Sequence, residues 1–417
     1  MRATRLRAKW ALAICATIGA TGCASILGLD NLTARGDAAT DTTTDGTVDT
    51  GADTSSNDAN DATTDSTIDV ADTADTNAQS DVLGDTGPVL AHPPAPPTDA
   101  ATTPTGTPTY WFAVSHFYLG MVDSTGSLSD SVWQTLGFDL DDVCTTSTDS
   151  TTSVGTCKRV TGSDSNVLTD GQQCRDNNFG SEIMKLVSIA SPKFETNANN
   201  SVYNNGGSTW AIALDDVDPA TDDGYAPGRL FRVTSMPAGS TPLWDGTDVR
   251  VVSSDSVAGA SLATPIAAFP HGYITGNVWV SGPATDTLLL LPADGTSLPF
   301  PLKSVVLSVP LSADRLSASG ATLAGALPVA NIADVVDPVA SAAGFCPGTS
   351  FYESIVGRIQ QVPDLVIGAP NLQNIVDTCD GISVGIGFDL RPIKPITTIG
   401  APDPSPPDPC ADAGVTD

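Results

Sequence analysis

A mainly β fold, a β-sandwich or jelly-roll-like domain carrying a few short helices, is what this sequence predicts for its folded part, residues 109–399. Three observations lead there. Ile382, Val384, Ile386, Phe388 and Leu390 are large apolar residues at strict period two, the pattern of a half-buried strand. Clusters of Gly, Pro, Asn and Asp punctuate the region at intervals of about 10 to 20 residues, as turns between short strands do. Helical periodicity is confined to three stretches, two of them late in the chain, which fits helices inserted into an all-strand framework.

Taken in order, the domain opens near Thr109, where Tyr110, Trp111, Phe112, Phe117 and Tyr118 raise the aromatic density. Phe179, Ile183, Leu186, Val187 and Ala190 share one helical face, with Asn178 placed to cap it. Strands follow at Trp210, Ile212 and Leu214, then at Val249, Val251 and Val252, then at Val278, Trp279 and Val280, and over the β-branched run Lys303 to Pro310. Pro328 to Ala343 is interrupted by Asp337-Pro338, which predicts two short helices with Pro338 in a first turn. Ser350-Phe351-Tyr352-Glu353 fits a capping box ahead of Ile355 and Ile359. Residues 400–417 turn Pro- and Asp-rich again and read as an unstructured tail.

Charge divides the chain. Its 417 residues hold 18 Lys+Arg against 48 Asp+Glu, a formal charge of −30. A nucleic-acid partner is excluded on that balance, because phosphate binding needs a cationic stripe. Residues 30–108 hold 15 Asp and a single base, Arg35. Asp37, Asp41, Asp45, Asp49 and Asp53 recur every fourth position, which would stack like charges on one helix face. With almost nothing apolar between them, such a stretch is predicted to be a disordered spacer. Pro88, Pro93, Pro94, Pro96, Pro97, Pro104 and Pro108 stiffen its distal end.

Ahead of the spacer, Arg2, Arg5, Arg7 and Lys9 precede the apolar run Trp10 to Ala20. A basic n-region, a short apolar core and small residues before a cut site describe a secretory signal. The run is too short for a bilayer span, which needs roughly 20 apolar residues. Ala20-Thr21-Gly22-Cys23 resembles the lipobox of bacterial lipoproteins, with Ala20 where that motif usually has Leu. The resemblance covers about the first 30 residues. It implies a signal peptide at residues 1–22, a diacylglycerol thioether and a palmitate-type amide on Cys23, and residues 23–108 as the lipidated Cys plus spacer. Residue 24 is Ala rather than Asp, which within that family favours the outer membrane. Two or three acyl chains, at ~0.8 kcal/mol for each buried CH₂, make a durable anchor.

Cys144, Cys157, Cys174, Cys346, Cys379 and Cys410 remain in the exported part. None is paired at the two-residue gap of zinc or thioredoxin-like sites, so an even count points to disulfides. Cys144–Cys157 would close a Thr/Ser-rich loop and Cys346–Cys379 would tie the late helices to the last long strand; Cys174 and Cys410 have no spacing that selects partners.

Candidate chemistry is sparse. Gly381-Ile382-Ser383-Val384-Gly385 matches the G-x-S-x-G pattern of serine hydrolases, but that motif needs a strand-to-helix elbow and a later His. Ser383 lies inside the clearest strand, and His92, His116 and His271 all precede it, so a polar residue on the strand's outer face is the better reading. Two acidic clusters stand out, Asp139, Asp141, Asp142 and then Asp215, Asp216, Asp218, Asp222, Asp223. The second, around a turn-forming Pro and Gly, is where Ca²⁺ would bind if any cation does; no other cofactor is implied. Trp111, Trp133, Trp210, Trp244 and Trp279 are core residues by default, though exposed Trp beside Asp suits sugar stacking. The expectation is a lipid-anchored envelope protein with a β-rich binding or structural module for a carbohydrate or surface-protein ligand. The alternative is a hydrolase acting on polysaccharide or another extracellular polymer.

Overall fold

Alternation of large apolar with small or polar residues sets the layering of this protein. The computed structural model describes residues 91–98, 103–104, 106, 108–146, 156–160, 168–293, 296–342, 344–404 and 410. The signal, Cys23 and all of the spacer before residue 91 lie outside them. The strands are β1 (Tyr110–Tyr118), β2 (Cys157–Lys158), β3 (Thr209–Leu214), β4 (Gly228–Val233), β5 (Val252–Ser253), β6 (Ala267–Phe269) and β7 (Tyr273–Thr275). They continue as β8 (Val278–Val280), β9 (Thr285–Ala293), β10 (Thr296–Pro310), β11 (Ala318–Pro328), β12 (Asn374–Thr378), β13 (Gly381–Pro392) and β14 (Ile399–Gly400). The helices are α1 (Met184–Ala190), entered through a π-helical turn at Phe179–Ile183, α2 (Phe194–Asn205), α3 (Ile332–Ala342) and α4 (Ser350–Ile359).

The protein is mainly β, as its sequence predicts. Twelve strands form one sheet ordered β14-β5-β4-β3-β1-β13-β11-β10-β8-β7, with β6 beside β4 and β9 beside β10. The sheet is mixed, since β14 pairs parallel with β5 while its other ladders are antiparallel. At its centre, β13 runs between β1 and β11. Ile382, Val384, Ile386, Phe388 and Leu390 all point to one face and are buried, joining Phe112, Val114, Trp210 and Ile212 in the main core. The opposite face is buried too. Over β1, β3 and β4 it carries Trp111, Ala113, Ala211, Phe231 and Val233, packed with Ile393 and Ile396.

Strand β10 pairs with β9 over its first part and with β8 and β11 over its second, the two parts being separated by a bulge. Its register shifts between Leu302 and Val305 against β9 and between Lys303 and Val306 against β11. Ser304 there adopts φ 51°, and its amide is held by Asp286 Oδ1 at 3.1 Å. The bend lets the β9–β10 hairpin fold back over the core, where Trp210 Nε1 donates to Leu290 O at 2.8 Å. Bulges turn strands in this way at the corners of layered β folds.

Several helical details differ from the expectation. Asn178 makes no side-chain cap; its Nδ2 donates to Val362 O, fixing the helix start to the chain after α4. Pro338 lies inside a single helix α3 rather than at the start of a second. Ile332, Val335, Val336 and Val339 pack against the main core, and that burial outweighs the ~3 kcal/mol an interior proline costs. The N-cap of α4 is Thr349, whose hydroxyl accepts from the Tyr352 amide, one residue before the expected box. Helix α2 was not foreseen. Its buried side chains Glu195 and Asn199 accept the amides of Leu119, Met121 and Phe117. A polar buried face of this kind leaves no apolar periodicity to read.

The domain limits also shift. The folded unit takes in part of the Pro-rich stretch assigned to the spacer: Ala91 exchanges backbone hydrogen bonds with Gln173 and Asp139, and Tyr273 donates to Pro94 O. The tail is used as well, since Asp403 accepts from Ser235 and Cys410 is bonded to Cys346. Val249 and Val251 precede the short β5 instead of forming a strand, and Val249 is exposed. No helix among the described residues is long and apolar enough to cross a membrane.

Candidate functional site

An apolar cavity of about 130 Å³ lies between the main core and the helices. The start of α1 contributes Phe179 and Ile183, α2 contributes Phe194 and Ala198, α3 contributes Val335 and Val339, and β10 contributes Phe300. Among the described residues Ser191 is the one polar residue in its wall, and no titratable side chain lines it. Phe179 meets Phe300 edge-on at 5.4 Å. Phe345, stacked at a tilt on Phe351 at 4.4 Å, closes one side. Such a volume can take up an apolar group and offers nothing to polarise or attack it.

A second depression of about 260 Å³ is polar. Trp133, Asp130, Glu182 and Lys185 stand around it, and Glu182 is ion-paired with Arg358 at 3.0 Å. Gly180 is required here, because a Cβ on it would lie 2.7 Å from the Trp133 Cβ.

On the other face of β13 a network of carboxylates is buried. Asp139, Asp141 and Asp176 each offer an oxygen, all within 4.8 Å of one another. Burial raises all three carboxyls, Asp141 to about 6 and Asp176 well above the usual range, with neighbouring carboxylates adding to it. Asp170 is pushed up to about 8 and Asp364 to about 7, again chiefly by burial. Ser383 belongs to this network. Its hydroxyl donates to Asp364 Oδ2 and accepts the Asn178 amide at 2.8 Å, and it is fully buried. Gly385 is where the segment Leu136–Gly137 crosses the sheet, with Gly137 Cα 2.7 Å from the place a Cβ would occupy. The G-x-S-x-G pattern is thus explained by a backbone crossing and a carboxylate anchor, with Ser383 in mid-strand.

Comparison with family models, curated proteins and solved structures returned no match to this chain.

The structure treats the expected site residues differently. Asp215, Asp216, Asp218, Asp222 and Asp223 are not gathered on one point; among the described residues the only convergent trio is Asp139, Asp141 and Asp176. Asp215 instead takes a bidentate pair from Arg229 at 2.6 Å, Asp222 accepts the Gly276 amide, and buried Asp223 accepts those of Asp218 and Tyr225. A loop rich in amide donors consumes its own carboxylates.

Cys144, Cys157, Cys174, Cys346, Cys379 and Cys410 are all bonded, with different partners from those expected: Cys144–Cys174, Cys157–Cys379 and Cys346–Cys410. Short loop length favoured Cys144–Cys157, but Cys174 is carried next to Cys144 by the hydrogen bonds between Asp170 and Thr145. Parallel pairing of β2 with β12 brings Cys157 to Cys379. Trp111, Trp210 and Trp279 are buried core, and Trp133 and Trp244 are partly exposed. Trp244 stacks on Tyr203 at 5.9 Å with Arg250 over its ring. Among the histidines, His116 is lowered by burial, and His92 lies 3.4 Å from Asp142. The cavity itself escaped sequence reading because its wall is shared among elements far apart in the chain; Asp176, beside Cys174, carried no spacing signal.

Proposed function

We propose that this chain is an exported lipoprotein, held at the outer membrane by acyl chains on Cys23 and an acidic spacer, whose β-rich body binds an apolar group in the helix-covered cavity. Export is supported by the basic-apolar-small order of residues 2–23, and three disulfides are in keeping with an oxidising compartment. The observation that carries the binding function is the cavity wall, where among the described residues Ser191 alone is polar. Dry apolar cavities of roughly 150 Å³ take up benzene-sized groups. The ligand class is accordingly a hydrocarbon group of that size, an aromatic ring or the end of an acyl chain.

Titration of the purified protein with 1-aminoanthracene, one terminal ring of which is of that size and can enter a cavity that is open on one side, tests this. Saturable fluorescence enhancement is expected in the wild type, with loss of at least ten-fold in affinity in Ala198→Trp, which fills the space from α2. Equal binding by a correctly folded Ala198→Trp protein would remove the proposal.

A second function, action on or binding of an extracellular polysaccharide, is favoured by the polar depression where Trp133 adjoins Asp130 and Glu182. Glycoside hydrolysis uses two carboxyls flanking one bond. Asp130→Asn and Glu182→Gln proteins, assayed on soluble polysaccharides, distinguish it: lost turnover with intact 1-aminoanthracene binding supports this function.

A further inference from the structure

Two chain segments are zipped together on the polar side of β13. The Asp176 amide donates to Phe138 O at 2.9 Å, and the Leu140 amide donates to Asp176 Oδ2 at 2.6 Å. Asp139, Asp141 and Asp176 are thereby drawn to one point, 4 %, 2 % and 2 % exposed. Most of their oxygens are occupied. Asp141 accepts from the Val143 amide and from the Thr156 hydroxyl, and Asp139 Oδ1 accepts from the Asp142 amide. Asp139 Oδ2 is different: it is buried and, among the described residues, has no hydrogen-bond partner. A buried carboxylate oxygen left without a donor carries its full desolvation cost, and Asp141 and Asp176 each bring a carboxylate oxygen within 4.8 Å of an oxygen of this carboxyl.

We propose that Asp139, Asp141 and Asp176 bind one calcium ion, with Asp139 Oδ2 as the ligand atom that nothing among the described residues satisfies. Three chemical facts select the ion. The donors are all oxygen, so a hard cation is required rather than zinc or copper. Three oxygens no more than 4.8 Å apart lie at most about 2.8 Å from a common centre, within a few tenths of an ångström of the roughly 2.3–2.6 Å typical of Ca²⁺. Magnesium is usually held by one or two carboxylates and keeps several waters, so a buried trio suits it poorly. The ion would clamp Phe138–Val143 to Asp176, the same two segments that the Cys144–Cys174 bond closes from outside. This site is independent of the apolar cavity.

Isothermal titration of CaCl₂ into the full-length protein, stripped with EDTA and exchanged into chelator-free buffer, tests the proposal. One saturable site is expected, weakened at least ten-fold in Asp139→Asn and Asp176→Asn and unchanged in Asp218→Asn and Asp222→Asn. Circular dichroism and mass analysis of the three disulfides check that the variants are folded. If they do not fold, hydrogen exchange on the wild type decides: CaCl₂ should slow exchange at residues 138–143 and 174–178. Absence of saturable binding, equal binding in Asp139→Asn and Asp176→Asn, unchanged exchange at those residues, or Mg²⁺ binding as tightly as Ca²⁺ would each overturn it.

Discussion

The two faces of strand β13 do opposite work. On one, Ile382, Val384, Ile386, Phe388 and Leu390 enter the main core, which on the helix side leaves an apolar cavity. On the other, Ser383 anchors Asp364, and Gly385 admits a crossing segment that brings Asp139 and Asp141 to Asp176. Packing on the first face rests on non-directional burial, which tolerates unfilled space. Packing on the second rests on hydrogen bonds and close backbone approach, where most polar atoms have an assigned partner and a small change is felt at once. A period-two strand can therefore divide a domain into an adaptable side and a rigid one.

The largest effect expected from breaking this division is at Gly385. Gly385→Val would drive a side chain into the Gly137 backbone, and a loss of about 4 kcal/mol or more, read by urea unfolding, is expected. Gly320→Ala, where nothing lies within 4 Å but φ is 67°, should cost far less, about 1 kcal/mol. Removing the staple beside the carboxylates comes next. The Cys144–Cys174 bond closes a separation of 30 residues, so Cys144→Ser with Cys174→Ser should lower stability by about 3 to 4 kcal/mol in the chain-entropy account.

Ser383→Ala is a sharper probe of the polar face. It strips a donor from Asp364 and an acceptor from the Asn178 amide, and a loss of about 1 to 3 kcal/mol is expected, with 1-aminoanthracene binding unchanged. A pH dependence is expected as well. Asp364 and Asp170 have folded-state carboxyls raised to about 7 and about 8, against an unfolded value of about 3.9. Between those limits the folded state holds more protons than the unfolded one, so stability should fall as pH rises through that window. Thermal melts in chelator are expected to show Tm dropping by ~3 °C or more from pH 5 to pH 8; a Tm that rises over that range would contradict the burial of these carboxyls.

How much of this was legible follows from the same division. Strand β13 could be read from five residues because large apolar residues on one face alternate with small or polar ones on the other, although most of both faces is buried. The β class, β3, β8 and the start of α1 were legible for the same reason. Helix α2 was not, since Glu195 and Asn199 face inward to satisfy backbone amides and imitate a solvated surface. The disulfide pairings were hidden because β2 and β12 meet through long-range parallel pairing, which local spacing does not encode. Asp139 and Asp141 stood out in the sequence, but their partner Asp176 is supplied by a segment 35 residues after Asp141 that only the fold brings back. The Asp215–Asp223 loop is the opposite case, a local density of carboxylates, equally readable as a solvated loop, that the fold does not gather on one point.

The adaptable face is tested most directly by diffraction from xenon-pressurised crystals of the folded part. Xenon enters dry apolar cavities of this size, and an anomalous peak is expected among Phe117, Phe179, Phe300 and Val335. A cavity that instead holds ordered water, or is closed by side chains with no xenon peak, would contradict the account.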